Sequence, residues 1–154
     1  MARRHDSLIP LSHQHQHALA LTVIIRRRFG IEEGEVLWRQ EHVDKIQKAW
    51  KAELKGHFEV EEGFLFPEMQ RYLGRIRLVE ELLRDHASLH GLVKLLESSS
   101  EFALLDGFSA LLDSHVHKEE RELFTEFEKK MPAAEALRLG KEIEARLLRA
   151  CPKL

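Results

Sequence analysis

Apolar residues recur along the chain at spacings of three and four, as in Leu78, Leu82, Leu89, Leu92, Leu95 and Leu96. That is the period of an amphipathic helix and not of a strand. Ser12, just after Pro10, can cap a helix that runs to Phe29 and stops at Gly30, where a left-handed residue beyond the last turn costs little. A longer helical stretch follows over residues 35–66 and ends at Pro67. Gly56 and Gly63 weaken it by about 1 kcal/mol each relative to alanine, so a kink or close packing is expected near them. The pattern predicts a third helix over 75–97, stopped by three serines, a fourth from about residue 100 to just before Pro132, and a short amphipathic helix over 133–149. Four main helices with short connections predict an all-α fold, an up-down-up-down four-helix bundle with a short additional C-terminal helix. At 154 residues, 44% of them hydrophobic, the chain is the size of one domain, and residues 1–154 are read as a single unit.

One pattern occurs twice. Residues 57–66 read HFEVEEGFLF and residues 115–124 read HVHKEERELF, agreeing at the histidine, at two consecutive acidic residues and at the closing Leu-Phe. The two copies fall on the second and fourth predicted helices, which an up-and-down path sends in the same direction, so the repeat reads as pseudo-symmetry about the bundle axis. Residues four apart are neighbours on one helix face. His57 and Glu61 are so spaced, His115 and Glu119 match them, and His86 and His90 on the third helix share the spacing. If these faces turn inward, one zone of the core receives four imidazoles and two carboxylates, with a further histidine available from HQHQH at 13–17.

Such a core needs a counter-charge. Burying an uncompensated carboxylate costs several kcal/mol, and neutral imidazoles still need partners at their ring nitrogens. A single exposed His/Glu pair is worth only a few tenths of a kcal/mol and carries no message. Three such pairs on three helices, two of them inside a repeat, point to metal. Nitrogen and oxygen donors without thiolate suit iron, manganese or zinc, and carboxylates that can bridge suit a pair of ions.

Charge and cysteine usage narrow the remaining classes. With 24 basic against 26 acidic residues, nothing recommends nucleic acid or an anionic membrane as a partner. The only cysteine is Cys151, which excludes intrachain disulfides and thiolate zinc sites and fits a reducing compartment. The longest apolar run, 18–25, falls far short of the ~20 residues a spanning helix needs, and the start lacks the apolar stretch of an export signal. A cytoplasmic protein is expected. Neither the Glu-x-x-His of ferritin-like di-iron oxidases nor the His-Glu-x-x-His of zinc proteases occurs, so no enzyme is expected.

The segments HFEVEEGFLFP, DHASLH and HVHKEERELF resemble, in order and spacing, the metal-binding stretches of the hemerythrin family, also called the HHE cation-binding domain. The opening PLSHQHQHALAL resembles the first helix of bacterial members. The resemblance covers most of the chain. It implies a four-helix bundle with a non-haem di-iron centre, two iron ions joined by an oxo or hydroxo bridge, that binds dioxygen or a related diatomic ligand such as nitric oxide as carrier or sensor. Relatives that sense iron or take part in iron-sulfur repair supply the alternative role. A metal-free interaction bundle, its histidines merely titrating near neutral pH, is the second alternative.

Carried onto this chain, the resemblance implies His57 and the bridging Glu61 on the second helix, His86 and His90 on the third, and His115 with the bridging Glu119 on the fourth. Oxygen-carrying hemerythrins place an aspartate one residue further along, at the slot of Glu120. Symmetry with Glu61 and the wider family favour Glu119. Glu62 and Glu120 are expected to support the ligands or face solvent, because a step of five turns the side chain away. On helix one, similarity to an LS-x-x-H start favours His15, with His17 as its rival. At about six donors per ion, His86, His90 and His115 complete one iron, whereas His15 and His57 leave the other a position short, where dioxygen, nitric oxide or azide could bind. Absence of His90 from the set would instead favour a more solvated centre of the iron-repair or iron-sensing kind. His5 is expected on a mobile N-terminus, and His42 and His117 in surface or local hydrogen-bonding roles. The C-terminal helix reads as a lid or, alternatively, as a surface that couples the site to a partner.

Overall fold

The computed structural model describes residues 3–27 and 34–151, and every regular element among them is helical. A 3-10 turn, Asp6–Leu8, leads into α1, Ile9–Arg26. Helix α2 covers 35–73 without interruption, alternating α-helical segments (Glu35–Ala49, Lys55–Val60, Phe66–Leu73) with π-helical turns (Trp50–Leu54, Glu61–Leu65). Helix α3 is Arg77–Leu95. Helix α4 covers 102–130 and carries one π-helical turn, Glu119–Leu123, between Phe102–Lys118 and Phe124–Lys130. Helix α5, Ala133–Ala150, completes the set. Among the described residues no helix is long and apolar enough to cross a membrane.

Two expected boundaries move. Ser12 does not cap α1: the helix begins at Ile9 with Pro10 in its first turn, where the missing N–H would be unpaired in any case. The expected stop at Gly30 lies outside the described residues. Pro67 does not end α2, because it falls in the first turn of the α-helical segment that resumes after a π turn, the place that tolerates a lost donor. The helix runs on to Leu73 and stops at Gly74, whose φ of 79° suits glycine.

Two apolar clusters fill the interior, and every one of the first four helices contributes to both. The first holds Leu8 and Leu11 of the N-terminal turn and α1, residues from Val60 to Met69 of α2, Val79 and Leu82 of α3, and Leu123, Phe124 and Phe127 of α4. The second holds Ala18, Leu21 and Ile25, then Ile46 to Phe58, then Leu89 to Leu96, then Leu105 to Val116. Helices α1 and α3 pass from the first cluster to the second along the chain, and α2 and α4 pass from the second to the first. On each helix the switch occurs at the histidine and carboxylate positions singled out above.

Helix α5 buries Ala136, Leu139, Ile143 and Leu147 in the first cluster. Two glycines permit its approach. A Cβ on Gly140 would lie 2.6–2.7 Å from Ser7, and one on Gly56 would lie 2.6 Å from the Ala150 carbonyl oxygen and 2.9 Å from Cys151 Sγ. The close packing anticipated near Gly56 is therefore with the C-terminal helix. Gly56→Ala and Gly140→Ala are expected to lower the free energy of unfolding by about 1–3 kcal/mol through overpacking. Gly91, mid-helix with nothing within 4 Å of its missing Cβ, is expected to gain about 1 kcal/mol on replacement by alanine. Urea denaturation of the three variants checks the opposite signs.

Candidate metal centre

Between the two apolar clusters lies a buried polar layer. His15, His57, His86, His115, Glu61 and Glu119 are each at most 4% exposed. On α3 the buried apolar positions and His86 step by three and four, Val79, Leu82, His86, Leu89, Val93, with Asp85 buried beside them, so His86 occupies a core position that a leucine would otherwise hold. On α2 and α4 the histidine and the carboxylate sit four apart, and the π-helical turn starts at the carboxylate itself, at Glu61 and again at Glu119. Each turn inserts one extra residue into the helix, and the buried residues that follow the carboxylate are Phe64, Leu65 and Phe66 on α2 and Leu123 and Phe124 on α4. The repeated decapeptide thus encodes a repeated backbone irregularity as well as a repeated histidine–carboxylate pair.

Outer hydrogen bonds hold all four rings by Nδ1. His15 Nδ1 donates to Glu120 Oε2 at 2.7 Å, His57 Nδ1 to Gln14 Oε1 at 2.8 Å, His86 Nδ1 to Glu62 Oε1 at 2.9 Å, and His115 Nδ1 to Asp85 Oδ2 at 3.0 Å. Carboxylates and amide oxygens only accept, so Nδ1 carries a proton and each ring, when neutral, aims a lone pair on Nε2 inward. There it meets further acceptors. His57 Nε2 lies 3.4 Å from Glu61 Oε2, His86 Nε2 lies 3.3 Å from Glu61 Oε1, His15 Nε2 lies 3.8 Å from Glu119 Oε2, and His115 Nε2 touches Glu119 Oε1. The Nε2 atoms of His86 and His115 face each other at 3.1 Å. His15 Nε2, His57 Nε2 and all four carboxylate oxygens of Glu61 and Glu119 are buried without a hydrogen-bond partner.

Acceptors facing acceptors in a dry layer repel unless cations sit among them. The donor atoms form two groups, His15–His57–Glu61–Glu119 and Glu61–His86–His115–Glu119, each with its atoms within 4.8 Å of one another. Both groups contain both carboxylates. Metal–ligand bonds of about 2.0–2.2 Å put donors on one ion roughly 3–4 Å apart, so each group is the right size for one cation.

Among the remaining candidates, His17 is exposed and paired with Glu53, its Nδ1 2.9 Å from Oε1, and lies outside both groups. His90 also lies outside. It is exposed, its ring edge-on to Trp50 at 5.5 Å, because the three-and-four seam of α3 goes from His86 to Leu89 and carries a residue four places on to the flank. Of the five expected histidines the structure brings four together and leaves His90 apart. Glu62 and Glu120 act as outer partners of ring nitrogens. Asp85 and Gln14 do so too and were not singled out from sequence, although each adjoins one of the converging histidines, in DHASLH and in HQHQH. His5 is anchored rather than mobile: its Nδ1 accepts from the Ser7 amide and its own amide donates to Glu128. His42 is buried, stacked on Trp38 and bonded to the Trp38 carbonyl.

Without metal, protons take the cation's place unevenly. Burial pushes His57 down to about 4 and lowers His15 against the pull of Glu120. Burial also opposes charge on His86 and His115, but Glu119 and Glu61 outweigh it on His86, which rises to about 9, and Glu119 and Asp85 outweigh it on His115, which rises to about 10. Burial and repulsion from Glu119 push the Glu61 carboxyl well above its ordinary range. Burial resists the Glu119 charge, yet His115 and its neighbours hold that carboxyl well below the usual range. Raised histidines stabilise the fold below their ordinary value of 6.5 and lose that contribution as pH climbs through about 9–10. His57, depressed, loses its contribution as pH falls from 6.5 through about 4. Chelator-treated protein is therefore expected to lose stability on both flanks, with Glu61 adding to the alkaline loss. Urea denaturation across pH checks it, and bound metal should flatten the alkaline flank.

Against known proteins, the chain matches the family model described as the hemerythrin HHE cation binding domain over residues 6–127. No curated protein and no solved structure matches it. The matched span contains all six converging side chains and ends before α5.

Proposed function

Because the chain belongs to the hemerythrin family of HHE cation-binding domains, we propose that the six converging side chains hold a pair of iron ions, His15 and His57 on one, His86 and His115 on the other, with Glu61 and Glu119 across both. The observation that carries this reading is the set of buried Nε2 and carboxylate oxygen atoms that have no partner but one another. The donors would accept manganese or zinc as well, and the family favours iron. Bound iron would supply an electrophilic, redox-active centre with positions open to a small ligand such as dioxygen or nitric oxide.

The protein side chains do the rest. Four outer acceptors lock the imidazole orientation. Phe58 stacks on His86 at 4.0 Å and Phe124 on His15 at 5.5 Å, which keeps the layer dry. Two imidazoles and two carboxylates give each ion four protein ligands, so at about six donors per ion both retain open positions. With His90 on the surface, this set supports a sensing or iron-handling role over reversible oxygen carriage. The bundle is read as up-down-up-down with α5 appended and residues 1–154 as one unit. Support comes from the reversed order in which alternate helices cross the two clusters and from the burial of α5 in the first. A cytoplasmic, non-catalytic protein without nucleic-acid partner is the corresponding proposal.

Absorption spectra of anaerobically iron-loaded protein test the role. Exposure to air is expected to produce an oxidised form that argon does not reverse, and azide or nitric oxide to perturb its spectrum. A visible band that appears with air and vanishes under argon would restore the carrier. Protein that retains no metal would leave the metal-free bundle.

A further inference from the structure

Three of the four outer acceptors are carboxylates, and the fourth is an amide. Gln14 alone holds its histidine, His57, through a neutral group. Its orientation is fixed from behind, since Gln14 Nε2 donates to Cys151 Sγ at 3.5 Å, and that thiol donates to the Glu53 carbonyl at 3.6 Å. The same end of α5 presses on Gly56, the residue before His57. Cys151 lies beyond the span matched by the family model, so this support comes from outside it.

Charges around the remaining acceptors partly cancel. Lys118 Nζ lies 2.6 Å from Asp85 Oδ2, and Arg4 lies 3.4 Å from Glu120 Oε1. Each cation position therefore has one outer carboxylate shared with a basic side chain. What distinguishes them is the second outer acceptor: Glu62 behind His86, Gln14 behind His57. A carboxylate on Nδ1 makes the imidazole a stronger donor and adds negative charge near the cation, whereas an amide fixes the ring and adds none.

We infer that Gln14 is a positioning residue that makes the two cation positions unequal, the His15–His57 position holding its divalent cation more weakly than the His86–His115 position. This rests on the di-metal reading above. Loss of an outer partner costs roughly 10–100-fold in metal affinity. Exchange of a charged partner for a neutral one that keeps the hydrogen bond belongs at the lower end, about tenfold.

Competition for cobalt(II) between a chromophoric chelator and the full chain tests the inference, with Gln14→Glu and Glu62→Gln as variants. Glu62 is 45% exposed, so its substitution leaves folding intact and keeps the comparison open if Gln14→Glu misfolds. In the wild type two classes of site are expected. Gln14→Glu should tighten the weaker class about tenfold and leave the other in place, and Glu62→Gln should weaken the tighter class by a similar factor. Two classes that neither variant moves, or that move together, overturn the inference alone. A wild type that binds no cobalt overturns it together with the metal reading.

Discussion

Glu61→Leu is expected to empty both cation positions at once. The carboxylate belongs to both four-residue groups, so neither ion keeps a bridge on that side, whereas His57→Leu should cost one ion and leave the His86–His115 position loaded. The metal-free fold should tolerate the change. Burial and the neighbouring Glu119 push the Glu61 carboxyl well above its ordinary range, and both of its oxygens lack hydrogen-bond partners. Leucine thus replaces a group whose burial costs about 1–3 kcal/mol, and the stripped variant should be as stable as the stripped wild type or more so. Iron per chain after anaerobic loading and desalting, read beside urea denaturation of the stripped proteins, checks both halves. His90→Ala should behave as wild type in both.

Removing the metal should destabilise the wild type far more than the glycine substitutions described above. An ion present at about 1,000 times its dissociation constant contributes about 4 kcal/mol. A chain of this size moves roughly 2–4 °C in Tm per kcal/mol, so stripping a pair is expected to lower Tm on the order of 15–30 °C. Glu61→Leu, holding no metal, should show no difference between loaded and stripped samples.

Much of this centre is written in local spacing. The His57/Glu61 and His115/Glu119 pairs are visible because four residues make about one helical turn and because the pattern occurs twice. His86 is visible for the same reason, but so is His90, and spacing alone cannot separate them. The choice between the two depends on how α3 packs, a seam of three-and-four steps that carries His86, Leu89 and Val93 inward and leaves position 90 on the flank. His15 against His17 is likewise a question of facing. Periodicity fails there because the apolar residues of 18–25 cover too much of the helix circumference, and resemblance pointed to the residue that the structure buries.

Other features are absent from local pattern altogether. The π turns at Glu61 and Glu119 each begin at a buried carboxylate, and no propensity scale registers that. Gln14 and Asp85 reach their histidines across 43 and 30 residues of chain, so only the assembled bundle shows what they hold. Gly56 could be flagged as a weak point in a helix, yet its reason lies in Ala150 and Cys151. Ser12 and Pro67 mislead for a related cause. Each carries a strong local boundary signal, and each is overruled by its surroundings, Ser12 donating to Glu120 at 2.7 Å from inside α1 and Pro67 riding on a π turn.

The central claim is that four imidazoles and two shared carboxylates close around a pair of cations in the layer between the two apolar clusters. Anomalous scattering from a crystal of the iron-loaded protein measures this directly. Two peaks about 3.5–4 Å apart are expected, one beside His15 and His57, the other beside His86 and His115, with Glu61 and Glu119 reaching both. A layer without peaks, or a peak held by His90 at the surface, would contradict it.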